Sequence, residues 1–118
     1  MSTLNVANIT DGTTTVGTEY VVNGSAKAWV NANGGVAIRD SLNVSSLTDI
    51  SNGVHTLSFA NNMSAAETYG ITGAGNSGVV NIWGSLNLAN GFRTYVTDYS
   101  GTAADQGFIM YSIHGDLA

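Results

Sequence analysis

Apolar residues recur at every second position along much of this 118-residue chain, which is the pattern of β-strands that bury one face. Leu57 and Phe59 alternate with polar neighbours, and Phe92, Thr94 and Val96 do the same further along the chain. No segment shows the sustained 3.6-residue period of an amphipathic helix. We therefore expect an all-β protein.

Short turn signals separate the alternating runs. Asn-Gly and related pairs supply the positive-φ residues that tight hairpins require. A chain of 118 residues is long enough for one domain with its own core. Short strands joined by such turns predict a small antiparallel β-sandwich with a jelly-roll-like arrangement. These pairs are Asp11-Gly12, Asn23-Gly24, Asn52-Gly53, Asn90-Gly91 and Ser100-Gly101.

The first 25 residues differ from the rest of the chain. One short alternating stretch, residues 4–9, leads into a loop rich in threonine. We expect residues 1–25 to form a short extended leader that serves attachment or lies between subunits. The β-sandwich domain is then expected at residues 26–118.

The charge balance excludes several classes of function. The chain has three Lys and Arg residues against eight Asp and Glu, for a net charge of −5. A nucleic-acid partner requires clustered cations, so we expect none. No apolar run approaches the roughly 20 residues of a membrane span, and no basic segment precedes an apolar one as in a secretion signal. We expect no membrane insertion.

The surface must be built mainly from neutral polar residues, because Asn, Ser, Thr and Gly account for 53 of 118 positions. Neutral groups protect exposed sheet edges from aggregation less well than charges do. Contacts between subunits would reduce the exposed surface, so composition favours an oligomer. A monomer with a neutral polar surface is the alternative.

Candidate chemical groups are scattered. His55 falls in an alternating strand and His114 near the chain end, and no Gly-x-Ser-x-Gly elbow is present. The chain has no cysteine, so a Cys-based zinc site is excluded. We expect no catalytic site, no cofactor and no metal site. Trp29 and Trp83 could stack on sugars, but packing in the core or an interface is the commoner role of a tryptophan within a strand.

Two segments resemble one known motif. Residues 24–31 read GSAKAWVN and residues 36–47 read VAIRDSLNVSSL. They resemble the "GSAKAWVNF" and "IRDSFNVSSITD" blocks of fibre-type proteins from tailed bacteriophages, especially phages of cyanobacteria and other marine bacteria. Residues 53–63 and 108–116 are similar to later blocks of that family, and residues 2–9 loosely resemble its leader. Ala32 and Leu42 stand where the family pattern has phenylalanine.

The resemblance implies a trimeric, non-enzymatic β-sandwich domain on the surface of a virion. The expected function is that of a short tail fibre or fibre-tip adhesin in host attachment, with other virion proteins and a host surface glycan as partners. A capsid or tail decoration protein without receptor binding is one alternative. A bacterial carbohydrate-binding module is another.

We predict two functional surfaces, one for receptor contact and one for trimer formation. Tyr95 and Tyr99 lie near a turn in the second half of the chain, and we predict that they contact the receptor. The loops at residues 73–78 and 95–101 would carry this surface. Residues 108–113 are apolar on both faces of a strand, and we predict that Ile109, Tyr111 and Ile113 form the trimer interface.

Overall fold

The computed structural model of the chain describes residues 1–82 and 86–118. A small N-terminal unit precedes the sandwich, and it comprises β1 (Asn8–Thr10), β2 (Thr15–Gly17) and α1 (Thr18–Gly24). The described strands of the sandwich are β3 (Ala26–Ala32), β4 (Ile38–Leu42), β5 (Val44–Ser51), β6 (Val54–Phe59), β7 (Tyr69–Gly75), β8 (Gly78–Ile82), β9 (Gly91–Asp98) and β10 (Ile109–Gly115).

Two four-stranded antiparallel sheets make up the sandwich, which confirms the all-β prediction. One sheet has the order β4-β3-β10-β7 and the other the order β5-β6-β9-β8. We call them the β10 sheet and the β9 sheet. The first and last strands of the sandwich, β3 and β10, are neighbours, which gives the topology its jelly-roll-like closure.

The core lies between the two sheets and follows the alternation read from the sequence. In β9, Phe92, Thr94 and Val96 are buried, whereas Arg93 and Tyr95 on the opposite face are half-buried. Aromatic rings join the sheets: the ring centroid of Phe92 in the β9 sheet lies 5.8 Å from that of Tyr111 and 6.5 Å from that of Tyr69, both in the β10 sheet. Edge-to-face and tilted contacts of this kind add to the free energy gained by burial alone.

The chain passes between sheets at residues 41–45, where apolar Leu42 and Val44 alternate with polar residues as they would in one continuous strand. Leu42 ends β4 in the β10 sheet and Val44 begins β5 in the β9 sheet. Asn43 between them has φ 56°, a left-handed conformation that asparagine tolerates better than most residues. Its side chain also exchanges two hydrogen bonds with the backbone of Asn61, of 2.6 and 3.0 Å. The run therefore bends at Asn43 into two strands.

The N-terminal unit is more regular than the extended leader that the sequence predicted. β1 and β2 form a hairpin, with Asn8 opposite Gly17, and one short helix follows. Glu19 in the first turn of α1 complements the helix dipole. Lys27 donates hydrogen bonds to the carbonyls of Val22 and Ser25 at the other end of the helix. None of residues 1–25 is buried, and the first buried side chain is Ala28.

The sequence of residues 80–88 alternates as if in a single strand kinked at Gly84, and the part of this run described as strand is β8, up to Ile82. Gly84 and Trp83 lie outside the described residues. Leu88 is exposed, in a turn that approaches Gly91.

Strand register gives the sandwich two distinct ends. Ala32, Ile109 and Gly75 lie side by side across the β10 sheet, and Gly78 lies opposite Asp98 in the β9 sheet. The connections beyond these residues form what we call the loop end: residues 33–37, 52–53, 76–77 and 99–108. Ala26 and His114 are paired at the opposite end, which we call the leader end because α1 precedes β3 there.

Candidate functional site

A tightly bonded turn at the loop end displays Tyr99. The Asp98 carboxylate accepts hydrogen bonds from the Ser100 hydroxyl at 2.6 Å, the Ser100 backbone N–H at 2.9 Å and the Thr102 backbone N–H at 3.0 Å. The Ser100 hydroxyl and then the Thr102 N–H lower the pKa of Asp98 from its ordinary value, because they stabilise the charged form. Gly101 completes the turn at φ 87°. Tyr99 is 80% exposed on this fixed turn.

Tyr95, the second residue predicted to contact a receptor, lies inside a strand. It is half-buried in β9, opposite Val54 on one side and Asn81 on the other. The predicted pair is therefore divided between the outer face of the β9 sheet and the turn beyond its end. Tyr99 is the more accessible of the two.

The two loops predicted as a contact surface meet through Gln106. Gln106 is 4% exposed, and its Oε1 accepts a hydrogen bond of 2.7 Å from the Ser77 N–H. Its Nε2 donates one of 3.2 Å to the Thr97 carbonyl. The turn between β7 and β8 is thereby joined to the end of β9. The surface has a rigid floor with Tyr99 projecting beside it.

The predicted trimer interface requires correction. Ile109 and Ile113 are fully buried and Tyr111 is 2% exposed, because all three side chains point between the two sheets of the same protomer. The hydroxyl of Tyr111 forms a hydrogen bond of 2.9 Å with that of Thr94 in the opposite sheet. Burial raises the pKa of Tyr111 above its ordinary value. These side chains belong to the protomer's own core and cannot contact a neighbouring subunit.

The outer face of the β10 sheet is exposed and carries apolar side chains. Met110 alternates with the buried residues of β10 and is 40% exposed. Trp29 pairs with Leu42 on one side and Ser112 on the other, so these side chains share the outer face. A shallow cavity of about 390 Å³ lies on this face. The residues on its rim and floor include Trp29, Asn31, Thr72, Ala74, Met110 and Ser112.

The signature residues of the motif have structural roles. Lys27 binds the C-terminal carbonyls of α1, and Asn43 forms the bend between sheets. Arg39 donates hydrogen bonds to the Ala32 carbonyl at 3.0 Å and the Gly107 carbonyl at 2.9 Å. Its guanidinium also lies 5.5 Å from the ring centroid of Phe108. The motif accordingly holds β4 and the loop end in place.

A histidine and two aspartates that no sequence motif groups together meet at the loop end. His55 on β6 is opposite Asp49 on β5, and Asp105 approaches from the connection between β9 and β10. His55 is fully buried, and its Nε2 lies 2.9 Å from the Gly34 carbonyl oxygen and 3.4 Å from Asp105 Oδ1. The opposite register of residues 49 and 55 was a readable signal, because Asn52-Gly53 defines the hairpin. Asp105 had none, since it follows a long irregular connection.

This cluster does not have the arrangement of a Ser-His-Asp triad. A triad histidine uses Nε2 to accept the proton of a serine hydroxyl. Here the hydrogen bond of His55 Nε2 is to a backbone carbonyl, and the ring is sealed from solvent.

Comparison of the chain with protein-family models, curated proteins and solved structures finds no match. Within the described residues, no helix is both long enough and apolar enough to cross a membrane. The motif and the distribution of surfaces over the sandwich are therefore the features that bear on function.

Proposed function

We propose that this chain is a non-enzymatic structural protein of a bacteriophage virion, acting as a short tail fibre or fibre-tip adhesin in host attachment. It functions as a homotrimer on the particle surface, attached to other virion proteins, with a host surface glycan as its target. The family resemblance of residues 24–47 motivates the proposal.

The structural observation that best supports the proposed function is the separation of the N-terminal unit from the loop end. Residues 1–25 bury no side chain and adjoin the leader end. The exposed turn with Tyr99 lies at the opposite end. An adhesin domain requires this polarity, because one end is held by the particle and the other faces the host. Receptor-binding residues are also common on loops that a rigid scaffold positions.

The outer face of the β10 sheet supports the trimer. Trp29, Leu42 and Met110 share this face, and Leu42 and Met110 are 48% and 40% exposed. A contiguous apolar face on a protein with few charges is a typical intersubunit surface. In this proposal the second copy of the chain packs against the outer side chains of β10 rather than the inner ones.

The test is adsorption of phage that carry Tyr95→Ala and Tyr99→Ala together. We expect weaker binding to host cells with the trimer intact and thermal stability little changed. Tyr20→Ala is the matched control, because Tyr20 is 69% exposed but lies in α1 near the leader end. Particles should be compared at equal content of the protein. Unchanged adsorption of the double variant would instead favour the decoration protein.

A carbohydrate-binding module is the second candidate, and the cavity beside Trp29 favours it. An indole flanked by Asn31, Thr72 and Ser112 offers a stacking face with hydrogen-bonding groups around it. Binding of soluble oligosaccharides should then change tryptophan fluorescence, and Trp29→Ala should abolish the change. In the adhesin, this surface is covered by subunits and the same sugars leave the fluorescence unaltered.

A further inference from the structure

The chain contains Asn-Gly pairs that differ widely in how the fold holds them. Asparagine is a thermolabile residue. Where glycine follows it, the glycine nitrogen can attack the side-chain amide carbon without a Cβ in the way. The attack requires the pair to leave its folded geometry, so the surroundings of each pair set its reactivity. The pairs are Asn23-Gly24, Asn33-Gly34, Asn52-Gly53 and Asn90-Gly91.

The last three pairs lie in the sandwich, and in each of them the glycine that would supply the attacking nitrogen is buried and hydrogen-bonded. The N–H groups of Gly34 and Gly91 donate to backbone carbonyls, and that of Gly53 donates to Asp105 Oδ1 at 2.8 Å. The side chain of Asn52 is held as well, because its Oδ1 accepts a hydrogen bond of 3.1 Å from the Asp105 N–H. Local opening of the sandwich must therefore precede reaction at any of these pairs.

Asn23 and Gly24 are instead exposed, at the end of α1. A Cβ on Gly24 would meet nothing within 4 Å, and no hydrogen bond joins the Asn23 side chain to another described residue. The helix spans seven residues, buries none of them and has no side-chain cap at its start. Isolated helices shorter than about 12 residues are marginal in water, so the end of α1 opens readily.

We propose that Asn23 is a site of spontaneous deamidation. The Gly24 nitrogen attacks Cγ of Asn23, and the side-chain nitrogen leaves as ammonia together with the proton of the Gly24 N–H. The product is a succinimide ring, and water opens it at one of its carbonyls to leave aspartate or isoaspartate at position 23. The reaction consumes only water. This inference goes beyond the proposed function and does not depend on it.

Deamidation changes the junction between the N-terminal unit and the sandwich. Either product places a negative charge at the C-terminal end of α1, where the helix dipole disfavours it. The new carboxylate also competes with the carbonyls of Val22 and Ser25 for Lys27. Isoaspartate in addition lengthens the backbone, which interrupts helical geometry. We expect α1 to loosen while the sandwich, whose first buried side chain is Ala28, stays folded.

The experiment is peptide mass spectrometry of the purified full chain during incubation at mildly alkaline pH. Deamidation at Asn23 should accumulate at least about tenfold faster than at any of the three sandwich pairs, because those pairs must first break hydrogen bonds. The sandwich pairs serve as controls within the same sample. In concentrated urea the advantage of Asn23 should disappear, since all four pairs then have similar freedom.

Gly24→Ala tests the attacking group. The new Cβ has open space, so the variant should fold, and it should lose most of the modification because a side chain hinders attack and favours the helix. Gly70→Ala, a matched change at another open and exposed glycine, should leave the rate at Asn23 unchanged. Amide hydrogen exchange in residues 18–24 should increase in the modified chain, whereas the melting temperature of the sandwich should not change.

Three results would each overturn the proposal. The first is equal deamidation at Asn23 and at the sandwich pairs of the folded chain. The second is an intact Asn23 in the folded chain after the urea-unfolded chain has been modified. The third is an unchanged rate at Asn23 in Gly24→Ala.

Discussion

The two faces of β10 show how one apolar segment serves two environments. Ile109, Tyr111 and Ile113 are at most 2% exposed, packed against the β9 sheet. Met110 on the opposite face of the same strand is 40% exposed, opposite Asn31 and one diagonal position from Trp29 in the register of the sheet. The inner face is already satisfied within one protomer. The outer face gains burial only if another molecule covers it, so assembly and folding depend on different side chains of one strand.

The largest expected effect lies on the inner face. Ile113→Ala removes three carbon atoms from a site with no solvent exposure, and it should lower the free energy of unfolding by about 2–5 kcal/mol. Met110→Ala on the outer face should cost the isolated protomer less than about 0.5 kcal/mol. Urea unfolding of both variants, under conditions that keep the chain monomeric, makes the comparison. Equal losses would mean that the two faces do not differ as described.

A smaller effect is expected at the polar contact inside the core. Tyr111→Phe leaves the buried Thr94 hydroxyl without its 2.9 Å partner and should cost about 1–3 kcal/mol. Thr94→Val combined with Tyr111→Phe removes both hydroxyls, so the loss should be smaller than the sum of the single changes. Urea unfolding of the three variants measures this coupling. Strict additivity would show that the two hydroxyls do not interact.

The sequence pattern predicted the fold, but it did not predict which face of β10 packs into the core and which face is exposed. Period-two alternation identified Leu57, Phe92 and Val96 as inward-facing, because burial on one face leaves that signature. The run at residues 108–113 carries no such signature, since apolar residues stand on both faces. Only the packing of the two sheets decides that Ile113 faces inward and Met110 outward. The interface prediction chose the wrong set for this reason.

Two other features of the structure could not be predicted from local sequence patterns. The helix α1 spans only seven residues, too few for a clear period, although Glu19 and Gly24 are compatible with its ends. Asp105 is held beside Asp49 and His55 by hydrogen bonds to residues more than 50 positions away in the sequence. The exposure of Tyr99 was predictable, because this residue adjoins a Ser-Gly turn signal.

Deletion of residues 1–17 should alter the stability of the sandwich by less than about 0.5 kcal/mol, because these residues bury no side chain. Thermal or urea unfolding of the truncated chain makes this test, and incorporation into particles should fall in parallel. A truncated chain that fails to fold would show that the N-terminal unit is part of the core after all.

The smallest expected effect is the loss, at low pH, of the stabilisation that the Asp98 carboxylate gives to its turn. The folded pKa of Asp98 is lowered, so its stabilisation of the turn is complete above the ordinary value of 3.8 and is lost as the pH falls through the folded pKa. Carboxyl ¹³C resonances should therefore titrate at lower pH for Asp98 than for an unperturbed aspartate. Ser100→Ala should raise that midpoint and leave Asp11 unchanged, whose pKa the N–H groups of Thr14 and Thr13 lower. An unmoved Asp98 midpoint would contradict the assigned cause.

The most direct test of the central claim, that another copy of the chain covers the outer face of the β10 sheet, is the solution mass. Multi-angle light scattering of the untagged protein should give about three times the chain mass of 12.1 kDa. Met110→Glu places a charge on that face and should reduce the mass to that of one folded chain. A stable wild-type monomer at micromolar concentration would contradict the account.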